Sequence, residues 1–195
     1  MHIVYLHGFL SGGKSIKGQI LAQMLPTLNF SGTYHAPDYP DRPDLAVAFL
    51  QDFFTKLKAS GEGIGVFGSS MGGFWASIFA ERFDFKAVLI NPCVCPATLI
   101  PQLSGQEQEN PYSHEHFTLT PAHVTLMQNF ETELRDHLTP SRYLVLLQDG
   151  DEVLDFRQAQ SFYQGADIKV STGGCHAFDN FAAVVPDGLR FLQIH

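Results

Sequence analysis

Short runs of consecutive apolar residues alternate along this chain with longer stretches in which apolar residues recur every third or fourth position. The first run is His2–Leu6. The stretch Lys14–Leu28 follows, with Ile16, Ile20, Leu21, Met24, Leu25 and Leu28 on one helical stripe. Thr33–Ala36 reads as a weak strand. Pro37–Pro43, with three prolines in seven residues, reads as a loop. A second amphipathic helix is predicted over Asp44–Lys58 and stops near Gly61. Strand Ile64–Phe67 leads into helix Gly72–Arg82, and strand Lys86–Ile90 is ended by Asn91-Pro92. Beyond residue 140 the alternation resumes with strand Tyr143–Leu147, helix Asp155–Tyr163, strand Ile168–Ser171 and a last helix over about Asp179–Leu192.

Strands that alternate with helices imply parallel βαβ units with helices on both faces of the sheet. The expected fold class is therefore α/β, with a six-stranded, mostly parallel sheet in the order 2-1-3-4-5-6. Residues 96–139 interrupt the rhythm. They are polar, punctuated by proline and rich in histidine, with no clear period. The segment is small for a second domain, so the reading is one domain over 1–195 with a cap inserted at about 96–139.

Composition narrows the function classes. With 45% hydrophobic residues, the 195-residue chain can build a full core. Its net charge of −8 argues against a nucleic-acid backbone binder. Three cysteines, Cys93, Cys95 and Cys175, make no even disulfide framework, which points to a reducing compartment. Met1 leads directly into a strand pattern without a charged leader or a long apolar span, so a cytoplasmic location without a membrane span is expected.

The candidate chemistry centres on Gly68-Ser69-Ser70-Met71-Gly72, a Gly-x-Ser-x-Gly pattern between a strand and a helix. A serine at the tip of such a turn is forced into an unfavourable backbone conformation, and the flanking glycines remove side chains that would collide. The helix that follows directs free N–H groups and its positive end toward the hydroxyl, which suits a developing oxyanion. The bland alternative is a glycine-rich βα turn. Ser69 falls one residue short of the tip.

A second motif competes with it. Gly8-Phe-Leu-Ser-Gly-Gly-Lys-Ser15 matches the phosphate-cradling P-loop, also between a strand and a helix. That reading requires an acid at the end of a neighbouring strand to hold magnesium, and the nearest, Asp149, stands behind Gln148. The serine reading requires an acid and then a histidine after later strands. Asp151 follows Tyr143–Leu147, and His176 follows Ile168–Ser171 behind Gly173-Gly174. Each falls at the carboxyl end of a parallel strand, where α/β sites gather. His7-Gly8-Phe9 is then the turn that supplies one oxyanion-hole N–H, from Phe9, and Met71 supplies the other.

The chain resembles the YqiA-type esterases, small bacterial α/β-hydrolases grouped as an uncharacterised family. The resemblance rests on Tyr5-Leu-His-Gly-Phe9, Gly68-Ser-Ser-Met-Gly-Gly73, Asn91-Pro92, Gln108-Glu-Asn-Pro-Tyr112, Gly150-Asp-Glu-Val-Leu-Asp155 and Gly173-Gly-Cys-His-Ala-Phe178. It implies an α/β-hydrolase fold and a carboxyl-ester or thioester hydrolase that acts on a small-molecule substrate without a cofactor. By motif it implies Ser70 as nucleophile, Asp151 as acid and His176 as base. Cys175 departs from the group's pattern, which has asparagine beside the histidine.

Other residues keep a bland reading beside a functional one. Asp149, Glu152 and Asp155 rival Asp151 as the acid, although Asp155-Phe-Arg-Gln158 has the form of a helix capping box. His114 and His116 are spaced for a metal but lack a third ligand, and read as solvated. Cys93 and Cys95 read as core or loop thiols, and Cys175 as a bystander to His176 rather than a nucleophile. Phe9, Phe74, Trp75, Tyr112 and Phe117 are either core or the lining of an acyl pocket. Two other function classes stay open: a nucleotide-binding protein using Gly8–Ser15, and a binding protein without catalysis.

Overall fold

The computed structural model describes residues 1–193. In chain order its elements are β1 (His2–Leu6), α1 (Ile16–Thr27), β2 (Thr33–His35), α2 (Pro43–Ala59), β3 (Ile64–Ser69), α3 (Met71–Phe83), β4 (Lys86–Ile90), α4 (Pro96–Leu103), β5 (Glu107–Glu109), β6 (His116–Thr118), α5 (Pro121–His137), β7 (Tyr143–Gln148), α6 (Phe156–Phe162), β8 (Asp167–Ser171) and α7 (Phe181–Phe191). The main sheet has six strands in the order β2-β1-β3-β4-β7-β8, and every pairing in it is parallel. The expected order holds, because the two unforeseen strands, β5 and β6, form a separate antiparallel pair.

The central strands are apolar throughout because both faces of the sheet are covered. Ile3, Tyr5, Phe67, Val88, Ile90, Leu144 and Leu146 face one core, with Leu21 of α1 and Val185 of α7. Val4, Leu6, Val66, Leu89, Val145 and Leu147 face the other, with Phe54 of α2, Phe79 of α3, Phe130 of α5 and Ala159 of α6. This alternation follows from the two-residue period of a strand. Phe54 stacks on Phe79 at 5.2 Å and lies 5.1 Å from Phe85. Burying each such ring contributes about 1.5–3 kcal/mol. Phe74 and Trp75 are part of this core, not of an acyl pocket.

The segment between β4 and β7 is more regular than its sequence suggests. α4, the β5–β6 pair and the 17-residue α5 fill it. α5 buries His123, Met127, Phe130 and Leu134, spaced by four, three and four residues, and packs against α2, α3 and α4. The histidine at 123 obscured that stripe. Its Nδ1 accepts the N–H of Thr120 at 3.1 Å, which closes the first turn of the helix.

The carboxyl ends of β1, β3, β4, β7 and β8 open on one rim. The order reverses between β1 and β3, because the chain leaves β1 for β2 on one side and returns to β3 on the other. That crevice is the topological switch point, and the turns after β1 and β3 meet there.

Candidate active site

Ser70 is the single residue between β3 and α3, with φ 55° and ψ −119°. Such a conformation costs a non-glycine residue roughly 1–3 kcal/mol and persists only where the surroundings enforce it. Here Ser70 N–H donates to Ile90 O at 3.1 Å, and Ser70 O accepts the N–H of Gly73 at 2.9 Å and of Cys93 at 3.0 Å. The flanking glycines are required by contact. A Cβ on Gly68 would lie 2.4 Å from Gly72 O, and one on Gly72 would lie 2.1 Å from Leu6 O. The tight turn pushes the Ser70 side chain out at the rim.

His176 Nε2 lies 3.0 Å from Ser70 Oγ, and His176 Nδ1 lies 2.8 Å from Asp151 Oδ2. The other carboxylate oxygen, Asp151 Oδ1, accepts the N–H of Val153 at 2.9 Å and of Leu154 at 2.8 Å. Burial by itself would raise the pKa of this carboxyl. The hydrogen bonds from His176, Leu154 and Val153 outweigh it and hold Asp151 below its ordinary value. A carboxylate facing Nδ1 keeps the proton there and leaves the lone pair of Nε2 toward Ser70.

The rival acids have other partners. Asp155 caps α6 by accepting the N–H of Arg157 at 3.0 Å, one position before the amide a capping box uses. Asp149 accepts the N–H of Gly173 at 2.6 Å. Glu152 accepts the backbone N–H of His176 at 2.9 Å. Cys175 donates its thiol to Asp179 at 3.3 Å, and that bond holds its pKa above the usual value, opposite to what a nucleophilic thiol needs.

The turn after β1 packs directly on Ser70: a Cβ on Gly8 would stand 3.4 Å from Ser70 Cβ. Among the described residues, no acceptor is bonded to the N–H of Phe9 or of Met71. His7 is buried, stacks on Tyr39 with ring centroids 4.1 Å apart, and donates from Nδ1 to Gly8 O at 2.8 Å. Burial lowers its pKa below the ordinary histidine value. Tyr39 donates its hydroxyl to His7 O.

The P-loop-like segment is not a phosphate cradle. Leu10 N–H donates to Asp41 Oδ1 at 2.8 Å, and Gly13 N–H donates to Asp38 Oδ1 at 2.7 Å. Two carboxylates therefore occupy the inside of the loop, where a phosphate would meet like charge. Asp41 is in turn bonded by Asn110 Nδ2 at 2.6 Å, and the same amide group donates to Ser11 O at 2.9 Å. Asn110 Oδ1 accepts the N–H of Tyr112 and Ser113 at 2.7 and 3.1 Å. Through this buried asparagine the segment between β5 and β6 is tied to the turn beside Ser70.

Two cavities meet at Ser70, His176 and Phe9. One, of about 340 Å³, is walled by Met71, Leu99, Ile100, Leu103, Leu119 and Leu154. The other, of about 510 Å³, is bordered by Tyr5, Ser15, Lys17, Tyr112 and the segment after His176. Lys17 donates to Ala177 O at 2.8 Å, and burial lowers its pKa. Tyr112 and Phe9 thus border cavities, whereas Phe117 is buried and meets Phe9 edge-on at 5.9 Å.

The sequence pattern of an uncharacterised protein family, UPF0227, matches residues 2–193. The chain belongs to that family. It is the YqiA-type group that the motifs resemble. Among solved structures, the chain is similar to Est1E from Butyrivibrio proteoclasticus with ferulic acid bound, at 14% identity and a TM-score of 0.71, covering 98% of this chain and 87% of that one. It is similar to the monoacylglycerol lipase of Paleococcus ferrophilus at 14% identity and a TM-score of 0.67, covering 98% and 94%. It is also similar to mouse alpha/beta hydrolase domain-containing protein 10, at 15% identity and a TM-score of 0.64, covering 98% and 89%. At such identities the likeness establishes the fold, which is the α/β-hydrolase fold.

The remaining candidates lie elsewhere. His114 and His116 flank and enter β6, with carboxylates of Glu109 and Glu107 at 3.1 and 3.8 Å. Cys93, Cys95 and Cys175 are free thiols, and burial lifts Cys93 to a pKa of about 12. Among the described residues, no helix is long and apolar enough to cross a membrane, and no group of three or more histidine, cysteine or acidic residues could hold a metal ion. The sequence reading assigned no role to Asn91, Gln148 or Asn110, nor to Asp41. Asn91 and Asn110 lie in the quoted family motifs, but their partners are distant along the chain and leave no local signal.

Proposed function

We propose that the protein is a serine hydrolase that cleaves carboxyl esters or thioesters through an acyl-enzyme. The observation that carries this reading is the unbroken hydrogen-bond chain from Ser70 Oγ through His176 to Asp151. Ser70 attacks the acyl carbon as His176 Nε2 takes its proton. The tetrahedral oxyanion is received by the N–H groups of Phe9 and Met71, the second at the positive end of α3. His176 then protonates the departing alcohol or thiol. Water, deprotonated by the same imidazole, attacks the acyl-serine, and the acid leaves as Ser70 recovers its proton. Asp151 holds the ring in the required tautomer and stabilises its cation without taking the proton itself.

The two cavities divide the substrate. The apolar one beside Met71, roofed by α4 and Leu119, takes the acyl chain. The one bordered by His176–Ala182 takes the leaving group, because its lining follows directly from the proton donor. The cap of this reading is the part of the insertion from Pro96 to Leu119, since α5 is packed into the core. Hydrolysis of p-nitrophenyl butyrate tests the proposal. Turnover by the native protein that vanishes in a folded Ser70→Ala variant supports it, and equal turnover by both overturns it.

A further inference from the structure

The backbone that carries His176 has no strand or helix of its own between the end of β8 at Ser171 and the start of α7 at Phe181. Its inward polar groups are taken instead by two side-chain amides. Gln148, the buried last residue of β7, accepts the N–H of Cys175 at 3.1 Å and of Asp179 at 2.9 Å on Oε1, and donates from Nε2 to Asp179 O at 3.0 Å. Asn91, just past β4, donates from Nδ2 to Cys175 O at 3.1 Å and His176 O at 3.3 Å. The two amides are joined, because Gln148 N–H donates to Asn91 Oδ1 at 3.0 Å. Asn91 holds a φ of 40°, a conformation asparagine tolerates better than most residues.

We infer that Gln148 and Asn91 are positioning residues for His176: they suspend its loop from the ends of β7 and β4, and so set the reach of the imidazole to Ser70. The inference rests on the serine-hydrolase reading above. Two further observations agree with it. Gly174 has φ +76°, and a Cβ there would stand 2.0 Å from Gln148 Oε1, so the loop is shaped to admit that amide. On its outer side the loop is met by residues nearer the solvent, Glu152 on His176 N–H and Lys17 on Ala177 O, and its start is tied to the turn after β7 by Asp149 on Gly173 N–H. Both inner anchors are neutral, so they fix the loop without adding charge beside the imidazole.

Reacting groups displaced by about 1 Å lose roughly 10²-fold in rate. The test uses Gln148→Met, which keeps the length of the side chain and removes its three bonds to the loop, and Asn91→Asp, which keeps the acceptor for Gln148 N–H and removes the two donors. Active sites are first counted by fluorophosphonate titration, so that loss of folded protein does not enter the rate. The expected result is a kcat per titrated site lowered about 10²-fold in Gln148→Met, with KM changed less than about threefold. In Asn91→Asp the expected drop in kcat is about tenfold or more, again with KM nearly unchanged. If Gln148→Met does not fold, Asn91→Asp decides alone. Variants with kcat per site within about threefold of native, or with the whole loss in KM, overturn the inference while the serine reading stands. Native protein that takes no label at Ser70 overturns both.

Discussion

Asp151 and His176 meet at 2.8 Å, from Oδ2 to Nδ1, although they sit on turns after different strands, and the second oxygen of Asp151 is already bonded to two backbone N–H groups. The carboxylate is thereby fixed before it orients the ring. Asp151→Asn should leave the fold intact and lower kcat by about 10⁴-fold, because an amide that donates to Nδ1 favours the wrong tautomer. Asp155→Asn should cost far less, since Asp155 only caps α6. Steady-state kinetics on the two variants check this, and a larger loss in Asp155→Asn would move the acid to that residue.

The depressed pKa of Asp151 also has a consequence for stability. A carboxyl that is more acidic in the folded chain stabilises it fully above the unfolded pKa of about 4, and that stabilisation is lost as the pH falls through the lower folded value. Urea melts of native protein and Asp151→Asn should therefore differ most near neutral pH and converge in the acid range. A gap that widens on acidification would contradict the hydrogen-bond assignment.

Asn110 joins the β5–β6 segment to the turn beside Ser70 through Asp41, whose pKa is raised by burial against the opposing bonds from Asn110 and Leu10 N–H. Asn110→Asp would set a second carboxylate against the first at the position where Nδ2 now stands 2.6 Å away. One proton must then be shared or the segment must open. Because the folded state binds protons more tightly there, its stability should fall as pH rises through the carboxylate range. Thermal melts from pH 4 to pH 8 should show a deficit relative to native protein that grows with pH. A deficit independent of pH would separate Asn110 from Asp41.

The apolar cavity under α4 should set acyl length. Leu103→Trp fills it from the roof, so kcat/KM for p-nitrophenyl octanoate should fall about tenfold or more while the acetate ester is cleaved at nearly the native rate. Equal losses on both esters would remove the cavity from acyl recognition.

The sheet was legible in the sequence because it depends on local patterns. β1 and β4 begin and end where the apolar runs do, and the strand order follows from the rhythm of strands and helices. Turn chemistry and strand ends single out Ser70, Asp151 and His176 in the sequence, and the fold brings the first two within hydrogen-bond distance of the third. α5 was not legible, since His123 stands in its buried stripe as if it were a surface residue. Asn91 and Gln148 were not, because an amide that accepts and donates across 31 or 84 positions of chain has no pattern around it. The P-loop-like segment is a pattern that local sequence offers without the chemistry it suggests. What the motif leaves out is Asp38 and Asp41, which close the loop to anions.

Hydrolysis through Ser70 requires an activated hydroxyl at the tip of the turn after β3. A fluorophosphonate probe incubated with native protein, followed by peptide mass spectrometry, tests it most directly. One adduct is expected, on Ser70, that is lost in Ser70→Ala and forms far more slowly in His176→Ala. No adduct, or an adduct on another residue that survives in Ser70→Ala, would contradict it.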